Sequence, residues 1–104
     1  MSSGVEIARQ QWADGHRRVE AARGDRRGYR LLRAQVDAIA DELRRRVGGS
    51  YSLAELADAY RDADRWTREA VAEAAPGTEW GPELTLAADA AFHLYARGAR
   101  DYEP

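Results

Sequence analysis

Cysteine and lysine are both missing from this 104-residue chain, and it has only one methionine and two histidines. Without cysteine there can be no disulfide framework, thiolate metal site or cysteine nucleophile. Without lysine there is no side chain for acetylation or Schiff-base chemistry. Two histidines are too few for a multi-histidine metal centre, and no cofactor is expected. No apolar run approaches the ~20 residues that a membrane helix needs. The start, Met1-Ser2-Ser3-Gly4-Val5-Glu6, lacks a basic flank leading into an apolar stretch. No secretory signal and no membrane association are therefore expected, and the expected location is cytoplasmic.

Alanine is abundant, with 21 residues, and arginine supplies all 16 fixed cations. Both use GC-rich codons, so genome composition accounts for the arginine bias as readily as selection for bidentate guanidinium contacts does. Charged residues make up 33% and hydrophobic ones 44%, which describes a globular chain rather than a disordered one. The length suits one domain. Charge is split along it: residues 1–50 hold 11 Arg and 7 acids, whereas residues 51–104 hold 5 Arg and 11 acids.

Apolar spacing predicts an all-α fold of four or five helices, with no strand pattern. Over residues 5–23, Val5, Ala8, Trp12, Gly15, Val19 and Ala22 recur at three- and four-residue steps. Gly15 in that stripe marks either a weak point or a close approach of another backbone. Gly24-Asp25 reads as a helix end followed by an N-cap. A second helix, 26–47, carries Tyr29, Leu32, Val36, Ile39, Leu43 and Val47. A hairpin or sharp kink at Gly24 is preferred over one continuous rod from Val5 to Val47. Gly48-Gly49 ends this helix.

Ser52-Leu53-Ala54-Glu55 has the form of a capping box. It opens a helix bearing Leu53, Leu56, Ala57 and Tyr60. Asp62 or Asp64 caps the next helix, which presents Ala63, Trp66, Ala70, Val71 and Ala74. Pro76-Gly77 stops that helix. Pro82 suits a first helical turn, and a last helix runs from about Glu83 to Arg97 with Gly98 as its C-cap. Apolar residues surround much of that last helix, which places it centrally in a bundle or in an oligomer interface. Residues 101–104 read as a loose tail, and residues 1–24 as a helix that could protrude from the domain.

Ser52–Ala75 resembles a helix-turn-helix in outline. The resemblance implies DNA binding, with Arg65, Thr67 and Arg68 near the start of the reading helix. Local charge opposes it, since residues 51–75 carry three Arg and six acids. Arg23, Arg26, Arg27 and Arg30 cluster about Gly24-Asp25, and the last three have few acids in helical register. They form the best candidate anion-facing surface, suited to phosphate, a nucleic-acid backbone or an acidic protein. His16 and His93 sit in no recognisable catalytic motif, so no enzyme activity is expected. Asp62 and Asp64 are more simply helix caps than an acid–base pair.

The leading functional expectation is a non-enzymatic protein-interaction module, with another protein or a second copy as partner. A small DNA-binding regulator using residues 52–75 is the alternative. Surplus apolar surface on the first helix makes Trp12 and Val19 candidate partner-binding residues. Trp80, placed in a Gly/Pro loop, is a third. Nucleic acid is the less favoured partner.

Overall fold

The computed structural model describes residues 4–74 and 82–103. Five α-helices account for most of them: α1 (Gly4–Ala21), α2 (Arg26–Val47), α3 (Leu53–Arg61), α4 (Ala63–Ala74) and α5 (Pro82–Ala96). No strand occurs among the described residues. Among them, no helix is long and apolar enough to cross a membrane.

The breaks follow local chemistry. α1 gives way to a single 3-10 turn over Ala22–Gly24, then Asp25 turns extended and starts α2. The Asp25 carboxylate accepts from the Gly28 amide at 3.1 Å, a side-chain cap for one of the free N–H groups at the helix start. A continuous rod through residue 47 is thereby ruled out. Gly24 does not act as a left-handed terminator. Gly48, with φ of +85°, holds that role at the end of α2, and its amide donates to the Arg44 carbonyl.

The Ser52 hydroxyl accepts from the Glu55 amide at 3.1 Å, as a capping box requires. The Glu55 carboxylate is held below its usual range by the Arg100 guanidinium first, and by the Ser52 hydroxyl and backbone as well. Asp62 is a one-residue joint: its amide donates to Ala59, and its carbonyl accepts from Arg65 and Trp66. The expected stop at Pro76-Gly77 lies outside the described residues. α5 begins at Pro82, where the fixed φ of proline suits a first turn.

α5 is the centre. Leu84, Ala87, Ala88, Asp89, Ala90, Ala91, Phe92 and Ala96 are all buried, and α5 touches each of the other four helices. Its run of alanines lets neighbours approach closely. α1 packs along it most extensively and α2 next, while α1 and α2 meet each other only locally. Leu32, Val36, Ile39 and Leu43 form the buried stripe of α2 as its spacing predicts, joined by Gln35 and Ala38. Tyr29 and Val47 flank it half-buried.

α1 is not a protruding element. Its buried positions, Trp12, Gly15 and Val19, face the core. Nor is the end of the chain loose as far as residue 103. The Asp101 carboxylate accepts from the Leu53 amide at 2.8 Å. The Arg100 amide donates to the Tyr51 carbonyl at 2.9 Å, and the Arg9 guanidinium donates to the Glu103 carbonyl at 3.0 Å.

Gly15 sets the distance between α1 and α5. A Cβ there would overlap the Asp89 Cβ, which lies too near its own backbone to swing aside. Gly15→Ala gains about 1 kcal/mol of helix propensity, but overpacking a close helix contact costs about 1–3 kcal/mol. The variant is expected to be net destabilised in urea unfolding, the reverse of an ordinary helical Gly→Ala change. Ile39→Ala, at a fully buried site, is expected to lose about 2–5 kcal/mol by the same measurement.

Candidate functional site

Three features of the surface and the seams bear on function. The first lies in the α1–α5 seam. The Trp12 ring sits 5.3 Å from Phe92 and 5.7 Å from Tyr60, fully buried. Val19 is 1% exposed. The expectation that these two residues anchor an outside partner is therefore corrected. α5 supplies the apolar face that a stripe poor in large aliphatics needs, and Phe92 is the residue that receives Trp12. Trp80, the third expected anchor, lies outside the described residues.

Beside Trp12 the seam turns polar. Gln11 of α1 donates through Nε2 to the Tyr60 hydroxyl at 2.8 Å, and Tyr60 of α3 donates to the Asp89 carboxylate of α5. One residue from each of three helices thus forms a chain of hydrogen bonds. Asp89 is only 5% exposed. Burial pushes its carboxyl above the usual range, against the Tyr60 and Gln11 hydrogen bonds that hold it down. Tyr60 is pushed well up, first by burial and then by the adjacent carboxylate. Gln11 and Tyr60 open onto a groove of about 680 Å³, whose walls include Arg61, Asp64, Thr67, Arg68 and Thr85.

One turn further along, His16 of α1 and His93 of α5 stack with ring centroids 4.7 Å apart and planes 26° from parallel. They are 77 positions apart in the sequence, and nothing in their local contexts announces the pairing. The stack gives His93 a structural place between the two helices. Burial first, then His16, Arg97 and Arg9, lowers the His93 pKa. His93 also lines a groove of about 490 Å³ with Glu6, Arg9, Gln10 and Tyr102. No group of three or more potential metal ligands occurs among the described residues.

The second feature is the helix pair that resembles a helix-turn-helix. A single residue, Asp62, joins α3 to α4. Thr67 is 2% exposed and donates its hydroxyl to the Ala63 carbonyl within α4, so it is not available to read a base. Arg65 and Arg68 are exposed, interleaved with exposed Asp64, Glu69 and Glu73.

The third feature is the corner between α1 and α2. Residues 17–33 hold seven Arg and two acids, a local charge of +5. Both acids are engaged: Glu20 pairs with Arg23 at 2.7 Å and with Arg33 at 3.8 Å, while Asp25 caps α2. Arg17 and Arg18 share Asp14. Arg23, one of the four clustered arginines, is thus neutralised locally and also lies over the Tyr29 ring, 5.9 Å from its centroid. Arg26, Arg27 and Arg30 are exposed and make no ion pair among the described residues. Leu31, 47% exposed, lies one turn beyond Arg27 on the same face, with exposed Ala34 a further turn on.

No protein-family model, curated protein or solved structure matches this chain.

Two outcomes are expected at the seam. Trp12→Ala removes the largest buried side chain and is expected to cost about 3–5 kcal/mol, seen as a large fall in the unfolding midpoint with no dependence on protein concentration. Tyr60→Phe keeps the ring but strips the buried carboxylate of its donor, at about 1–3 kcal/mol. In that variant the Asp89 midpoint, followed by carboxyl carbon-13 NMR, is expected to climb further.

Proposed function

We propose that the chain is a non-enzymatic protein-binding module that receives an acidic partner on the basic corner at the start of α2. The observation that carries this reading is the contrast among the arginines. Those at 17, 18, 23, 33, 44, 45, 46, 61 and 100 have a carboxylate within 4.0 Å. Of the seven without one among the described residues, Arg26, Arg27 and Arg30 stand together on one turn with no free acid beside them, whereas Arg65 and Arg68 are interleaved with Asp64, Glu69 and Glu73, and Arg9 bonds the Glu103 carbonyl. Three exposed like charges on one helical turn repel each other, and an acidic partner relieves that repulsion.

Leu31 favours protein over nucleic acid. A phosphate backbone gives the leucine side chain nothing to bury against, whereas an acidic protein segment with one apolar residue covers both the guanidinium groups and the leucine. Arginine suits such a contact, because its planar fork takes a carboxylate in two hydrogen bonds. The α2 N-terminus does not itself supply the anion site, since Asp25 already occupies it.

A photo-reactive residue placed at Leu31 in the native host, with Asp58 on α3 as an exposed control site, tests the reading. The expected result is a protein adduct from position 31 alone. It should weaken with added salt and disappear when Arg26, Arg27 and Arg30 are all replaced by Gln. An adduct to nucleic acid at position 31, or the same adducts from both sites, would overturn the proposal. The triple Gln variant should keep its thermal midpoint, because exposed charges contribute little to stability.

A further inference from the structure

The histidine stack joins the two helices that pack most closely, and Glu20 is the only carboxylate within 4.0 Å of a ring nitrogen of the pair among the described residues. On α1 the His16 Nε2 lies 3.8 Å from a Glu20 carboxylate oxygen. That carboxylate is already shared. Arg23 holds it at 2.7 Å, Arg33 of α2 reaches it at 3.8 Å, and the Tyr29 hydroxyl donates to it at 3.3 Å. On the His93 side, Arg97 just past the end of α5 and Arg9 of α1 both act against a positive charge. Glu6, Tyr102 and Glu103 line the groove that His93 borders. The Glu103 main-chain carbonyl is taken by Arg9, whose guanidinium also covers the Tyr102 ring at 5.3 Å. Asp89, one turn before His93, is spent on Tyr60.

We infer that the His16–His93 stack is an acid-sensitive clasp, which seats α1 on α5 while at most one ring is charged and loosens that seam when both rings are charged. Glu20 is the carboxylate beside the pair, 3.8 Å from the His16 ring. With both rings charged, two imidazolium rings would stand face to face at 4.7 Å, half-buried, with Arg9 and Arg97 adding to the repulsion. The α1 side of the seam is thinly packed for so long a contact. Its apolar content on α1 is limited to Trp12 and Val19 among fully buried side chains, and the Trp12 indole N–H is buried without a hydrogen-bond partner. Loosening it uncovers Trp12 and Phe92 and leaves the contacts of α2 with α4 and α5 in place.

The sign follows from the direction of the His93 shift. A histidine whose folded pKa lies below its unfolded value contributes stability that is present above the unfolded value, near pH 6.5. That stability is lost as pH falls towards and through the folded value. Asp89, shifted upward, contributes in the opposite direction. Its contribution is common to all the variants below, so it cancels in their comparison.

The test uses the full chain, titrated from pH 7.5 to 5 with the histidine ring signals followed by NMR. His16→Gln is expected to move the His93 midpoint upward, because the facing charge is gone. The double variant His16→Gln/His93→Gln is expected to lose the acid-side fall in thermal midpoint that the wild type shows between pH 7 and 5. At pH 5 the α1 amides of the wild type are expected to exchange faster than those of the double variant. A His93 midpoint unmoved by His16→Gln would overturn the clasp, as would identical acid-side slopes for wild type and double variant. Should the double variant fold poorly, His16→Gln alone decides the question, since His16 is partly exposed.

Discussion

The close passage of α1 over α5, where Gly15 lies against Asp89, sets the geometry on which the rest of this molecule depends. A glycine on one helix and a run of alanines on the other bring the backbones together. The interface then has room for large groups only at its ends. Trp12 meets Phe92 and His16 meets His93 within the same interface. α5 can be this central because few of its side chains need water. The polar exception at its middle, Asp89, is satisfied by a tyrosine from α3 and a glutamine from α1. Removing the glycine would strain the ring contacts and the hydrogen-bond chain together, since all of them span the same gap.

Much of the architecture was legible because it rests on local rules. Ser52 caps α3 and Asp25 caps α2 because a short oxygen-bearing side chain just before a helix meets a free amide. The stripe from Leu32 to Leu43 is buried because three-four spacing puts it on one side of a cylinder. The prominence of α5 followed from its all-round apolar character. What was not legible required knowledge of which helix lies beside which. The first stripe looked like surplus surface because its aliphatic content is low. Burial of Trp12 depends on Phe92, which lies 80 positions away and shares no pattern with it. The histidine stack and the Gln11–Tyr60–Asp89 chain are invisible for the same reason. One faint signal was present: an aspartate in the midst of the apolar run from Leu84 to Tyr95 must find a donor or stay neutral.

The basic corner illustrates how a sequence tally of charge can mislead. The first half of the chain is positive and the second half negative, which suggests two poles. In the structure seven of the eleven arginines of the first half are answered by acids three or four residues away. Such pairs are exposed and contribute little stability, but they erase most of the field that the tally implies. Of the four arginines left in that half, Arg9 bonds the Glu103 carbonyl, and the other three stand together at the start of α2, where the nearby acids are committed as a cap and as a shared counter-ion.

That shared counter-ion, Glu20, connects the corner to the seam. It is bonded to Tyr29 and Arg33 of α2, to Arg23 at the turn, and lies beside His16 of α1. Each added claim on one carboxylate weakens what it can offer the others, because two oxygens present only a limited number of acceptor directions. The arginines therefore restrict how well Glu20 can compensate a charged histidine pair. A partner that brought carboxylates to Arg26, Arg27 and Arg30 would add negative charge near Glu20 without taking Arg23 from it. Glu20 is thus the carboxylate that touches both the corner and the seam.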